Sequence, residues 1–94
     1  MVRVFARAKS KPGHADALRA VLQKLVQASC AEDGVLVYEL FETAERGEFF
    51  FREEYADSEA FERHRTSRHV RVAVGRAASM MDGELTLWFV EPVL

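Results

Sequence analysis

Three consecutive phenylalanines at positions 49–51, inside EFFFREEY (Glu48–Tyr55), set the strongest constraint on this chain. Side chains on a strand point alternately to opposite faces. Phe50 therefore faces one way while Phe49, Phe51 and Tyr55 face the other. The same two-sidedness recurs in VLVYELFE, where Val35, Val37 and Phe41 oppose Leu36, Tyr38 and Leu40. It recurs again in ELTLWFVE, where Leu85, Leu87 and Phe89 oppose Trp88 and Val90. A sheet wetted on one side alternates more cleanly than this. Each large apolar side chain gains on the order of 1.5–3 kcal/mol on leaving water. About a dozen of them divided over two faces exceed the patch that soluble monomers leave exposed. The chain's own helices can cover one face. The other calls for a second copy of the sheet across a two-fold axis, or for a ligand cavity, and both faces can be used at once.

The remaining segments place that sheet in a fold. VRVFARAK (Val2–Lys9) alternates strictly and reads as the first strand. After the KPG break, residues 14–31 have Leu18, Val21, Leu22, Leu25 and Ser29 at the spacing of one buried helical stripe. Gly34 suits the turn beyond that helix. Strands over Val35–Glu42 and Glu48–Tyr55 follow, joined by a short hairpin loop. Asp57 or Ser58 can cap a short helix carrying AFERH, with Phe61 and His64 on one face. Arg68–Met81 reads as a further helix, with Val70, Val74, Ala77 and Met81 as its apolar stripe, and Glu84–Glu91 as the last strand. This βαββαβ order predicts an α+β, ferredoxin-like domain over residues 1–94 with a four-stranded antiparallel sheet. Paired face to face, two such sheets make a dimeric α/β-barrel.

Composition excludes several classes. A net charge of −2 over 94 residues argues against a general nucleic-acid binder. No apolar run approaches the roughly 20 residues of a membrane span, and MVRVFARAKS has no signal-peptide core. The expected location is the cytoplasm. One cysteine, Cys30, permits no intrachain disulfide and no cysteine-rich metal site, and reads as a small buried hydrophobe.

The segments KPGHADALRAVLQKLV, AEDGVLVYEL and FFFREEYADSEAFERHRTSRH, in this order and spacing, resemble the antibiotic biosynthesis monooxygenase family of small dimeric α/β-barrel proteins. The matching positions are Ala31, Glu32, Gly34 and Tyr38, then Glu53, Tyr55, Asp57, Ala60, Phe61, His64, Ser67 and His69. Tyr55 stands where the family commonly has tryptophan. The resemblance implies the fold firmly and the chemistry less so. Members include monooxygenases that oxidise quinols or aromatic polyketides with dioxygen and neither metal nor flavin, and others that degrade haem. The haem-degrading branch has tryptophan at the position of His64 and its axial histidine near the position of Val74, so haem is not expected here.

Among residues able to carry chemistry, His64 is the first candidate, as a base titrating near neutral pH that takes the proton of a phenol or quinol. Glu53 shares a strand face with Phe49, Phe51 and Tyr55, where a carboxylate needs a partner. His64 or an arginine such as Arg7 could supply it. Tyr38, Phe5, Phe51, Tyr55 and Trp88 are candidates to pack on a flat aromatic ligand. His69 falls on another face than His64 if one helix runs through both, and is a weaker binding candidate. The arginines at positions 63, 65, 68, 71 and 76 form either a solvated basic face or an attraction for an anionic substrate. The expectation is a cofactor-independent monooxygenase acting on a small aromatic quinol and dioxygen, without a metal. The alternatives are a dimer that binds or senses a small ligand without turning it over, and a haem-binding enzyme.

Overall fold

The computed structural model describes residues 1–94. It contains β1 (Val2–Lys9), α1 (Ala15–Cys30), β2 (Val35–Glu42), β3 (Glu48–Tyr55), α2 (Ser58–Arg65), α3 (Arg68–Ala77) and β4 (Thr86–Phe89). The four strands form one sheet in the order β2-β3-β1-β4, every neighbouring pair antiparallel. This is the ferredoxin-like arrangement. None of its helices is long and apolar enough to cross a membrane.

The alternation in β1 and β3 decides which face meets the helices. Val4, Ala6 and Ala8 of β1 lie opposite Glu53, Phe51 and Phe49 of β3 and turn inward with them. There they form one core with Leu18 and Leu22 of α1, Ala60 of α2 and Ala77 of α3. The small side chains of β1 leave room between the sheet and the helices, and the large ones of β3 fill the space beside it. On the opposite face Phe5, Phe41 and Trp88 remain 45%, 52% and 43% exposed. The chain covers one side of its sheet and leaves aromatic rings on the other.

Three details depart from the periodic reading. In β2 the register with β3 shifts between Val35 and Val37, a bulge that leaves Leu36 exposed and sets Tyr38 opposite Glu53. In α3 the buried residues are Ala73 and Ala77, while Val74 is 55% exposed. The helix also ends before Met81, because residues 80–82 pair with β1 instead. Lys11 N donates to Met80 O, Asp82 N donates to Lys9 O, and Met81 bridges Ser10. Finally, β4 spans four residues rather than eight. Cys30 is exposed, its thiol 3.6 Å from the Tyr38 carbonyl, and is not the buried hydrophobe expected of it.

Gly34 fixes the distance between the end of α1 and α2. Its φ is +84°, a backbone region that costs most side chains energy, and a Cβ there would lie 2.7 Å from Ala60 Cβ. Gly34 O also accepts a hydrogen bond from Ala56 N just before α2. Gly34→Ala is expected to lower stability by roughly 2–4 kcal/mol, combining backbone strain with overpacking against α2. Urea unfolding of both proteins checks this, and an unchanged midpoint would refute the packing argument.

Candidate functional site

Between the inner sheet face and the α1–α3 pair lies a cavity of ≈ 370 Å³, lined by 15 residues of which 12 are hydrophobic. Tyr38 of β2 and Phe51 and Glu53 of β3 reach it from the sheet, Leu22 and Leu25 from α1, and Ala77 from α3. The chamber is of the size and polarity that holds a small aromatic molecule. The alanines of α3 leave this room, since larger side chains there would fill it.

Glu53 is its most distinctive group. The residue is only 5% exposed, and burial raises its carboxyl to about 7, against the opposing effect of the hydrogen bond it accepts from the Tyr55 hydroxyl. A carboxyl at that value exchanges protons with a bound molecule at neutral pH. Burial and the neighbouring Glu53 charge hold the Tyr55 phenol protonated, far above the ordinary tyrosine range. Tyr38 is likewise raised, by burial first and by Glu53 second. Tyr55 therefore donates to Glu53, and both rings serve as apolar walls.

His64 stands behind this wall. Its ring centroid lies 5.1 Å from that of Tyr38 and 5.3 Å from that of Tyr55. Its Nδ1 is 2.8 Å from Glu32 Oε2, and His69 Nε2 lies 2.6 Å from the same oxygen. A carboxylate only accepts hydrogen bonds, so both ring nitrogens carry their protons toward Glu32. Burial lowers the His64 pKa, opposed by the hydrogen bond and charge of Glu32, and the neutral ring is the form favoured at neutral pH.

The pairing expected for Glu53 is therefore corrected. Its partner is Tyr55, while Arg7 pairs with Glu48 on the other side of the sheet, 2.8 Å away. Neither His64 nor an arginine reaches it. Phe5 and Trp88 face each other across β1 and β4 on the outer face, away from Glu53 and His64, and so do not wall the inner cavity. Tyr38 and Phe51 do line it, and Tyr55 lies behind Glu53. His69 is brought to His64 because no single helix runs through both. The chain turns at Thr66, Ser67 caps a new helix by accepting from Val70 N, and His69 enters its first turn.

Glu32 is the residue whose role sequence reasoning missed. It lies in the turn after α1, where no helical or strand period assigns it a face. Glu32, His64 and His69 also form a group able to hold a metal ion, their ligand atoms all within 4.8 Å of one another. Holding one would require both imidazoles to give up the protons they direct at Glu32, and the nitrogen–oxygen contacts to widen for bonds of about 2.1 Å.

The family profile described as antibiotic biosynthesis monooxygenase matches residues 1–76. The chain belongs to this family. Across 68 residues it is 40% identical to the Mycobacterium tuberculosis protein named "Putative monooxygenase Rv0793", covering 72% of this chain and 67% of that one. The structure of Rv0793 superposes with a TM-score of 0.90 at 30% identity, over 98% of this chain and 94% of the other. PA3566 from Pseudomonas aeruginosa gives 0.91 at 26% identity over 99% and 94% of the two chains. Oxidoreductase chemistry of the monooxygenase type is thus supported at the level of the family.

Proposed function

We propose that the protein is a cofactor-independent monooxygenase that oxidises a small aromatic quinol within the inner cavity. The observation that carries this reading is Glu53, a carboxyl that burial raises to about 7, placed beside Tyr38 and Phe51 in the wall of a mainly apolar chamber that Glu84 also lines. Glu53 takes the phenolic proton, and the resulting phenolate gives electrons to dioxygen far more readily than the neutral phenol. One oxygen atom forms a C–O bond at the adjacent ring carbon, and the other leaves as water. The quinol becomes a hydroxyquinone, so dioxygen accepts four electrons and the substrate supplies all of them. Tyr38 and Phe51, in edge-to-face contact with each other, offer one joint aromatic wall against which the ring packs. His64, oriented by Glu32, packs on Tyr38 and Tyr55 and positions them, acting on the base through its surroundings.

The protein is further proposed to act as a homodimer through the outer face. Phe5 and Trp88 are cross-strand neighbours there, as are Phe41 and Phe50. Together they border a shallow hollow with Arg52 at its edge. A second copy related by a two-fold axis would cover these rings and match the Arg52–Glu39 pair against its own symmetry mate.

Oxygen uptake with a panel of benzo- and naphthoquinols tests the reaction. One dioxygen consumed per quinol, with a hydroxyquinone product carrying one labelled atom from ¹⁸O₂, is expected. Ligand binding without uptake would favour a sensing dimer, and a Soret shift on adding haem would favour the haem reading.

A further inference from the structure

A second cavity, of ≈ 430 Å³, opens on the far side of the α1–α3 seam, and Leu25 and Ala73 line both chambers. The first is mainly apolar and its only charged residues are the acidic Glu53 and Glu84. The second carries Lys24 from α1 and Arg68 and Arg76 from α3, with His69 beside them, and none of its nine lining residues is acidic. These three cations make no ion pair, whereas Arg19, Arg52 and Arg65 each have a carboxylate within hydrogen-bonding distance. In a chain of net charge −2, three unpaired cations around one hollow repel one another, and an anion placed among them relieves that repulsion. The groove lies on the helical side of the sheet, opposite the proposed dimer face, so a second copy there does not supply the missing charge.

We infer that the substrate is an aromatic acid: its ring occupies the chamber at Glu53, and its carboxylate or sulfonate crosses the α1–α3 seam to Lys24, Arg68 and Arg76. This inference rests on the quinol reading and narrows its substrate class. Leu25 and Ala73 border both hollows and so mark where the middle of such a molecule has to pass, and the two arginines offer forked donors to its oxyanion. The result is selection by charge at one end and by proton transfer at the other.

Calorimetric titration of the full chain with 2-naphthol, 6-hydroxy-2-naphthoate and 6-hydroxy-2-naphthalenesulfonate tests it, since each acid holds its anion at the opposite end from its hydroxyl. At low salt at least one acid is expected to bind tenfold or more tighter than 2-naphthol, and the stronger of the two names the preferred group. That advantage is expected to shrink as salt is raised, and to vanish in the K24Q/R68Q/R76Q variant, whose affinity for 2-naphthol stays unchanged. Equal wild-type affinities for all three ligands, or an acid preference that survives in the variant, would overturn the inference. Failure of the quinol reading looks different: the three ligands would bind as expected, yet the quinol panel would consume no dioxygen.

Discussion

Replacing Glu53 by glutamine is expected to lower kcat for quinol oxidation by roughly 10²–10⁴-fold, the usual contribution of a positioned general base. The substitution keeps the shape of the side chain and its ability to accept from Tyr55, so the cavity persists while the proton acceptor is lost. In the wild type the rate should rise with pH through about 7, as Glu53 ionises. In the variant that limb should disappear. Stability should move the other way. Glu53 titrates near 4.5 when unfolded and at about 7 when folded, so the folded state binds more protons between these values. Its contribution is complete below 4.5 and declines as pH rises toward 7, by on the order of 3 kcal/mol. Glutamine removes that decline, making the variant the more robust protein at pH 8 even as it is the poorer catalyst. Oxygen-electrode rates and urea unfolding over pH 5–9 measure both effects. A variant with wild-type kcat would remove Glu53 from the chemistry.

The second large effect concerns assembly. Trp88→Asp places a carboxylate among Phe5, Phe41 and Phe50 on the uncovered face. Loss of a central aromatic contact costs about 2 kcal/mol or more, and a two-fold axis places the substitution in the interface twice. The dissociation constant should therefore weaken by roughly 10³-fold. Sedimentation equilibrium should report a dimer for the wild type and a monomer for the variant at micromolar concentration, with circular dichroism establishing that the sheet is retained. A wild type that sediments as one subunit at tens of micromolar would defeat the dimer proposal.

The strands were largely legible because two-residue alternation is a local signal. β1, β2 and β3 begin and end where the pattern does. What the pattern missed came from contacts distant in sequence. α3 stops at Ala77 because Lys9 and Lys11 capture the backbone of residues 80–82, which no helical period reveals. β4 is short because its pairing with β1 covers only Val4 to Arg7. In the site, Glu53 was legible as a carboxylate among aromatics, but its partner was not. The tyrosine two residues along the same strand face satisfies it, and β-strand periodicity places that hydroxyl beside it as readily as any helix could place a histidine. Phe5 and Trp88 were recognised as large aromatic rings, and only the register of β1 with β4 assigns them to the outer side.

The single Glu32 oxygen shared by His64 and His69 has a mechanical consequence. α2 and α3 have 8 and 10 residues, too few to hold helical form without outside support. Both are moored at that one atom. A displacement of α3 that broke the His69 contact would also loosen the carboxylate that keeps the imidazole of α2 against the tyrosines, so the two helices and the aromatic wall share one point of attachment.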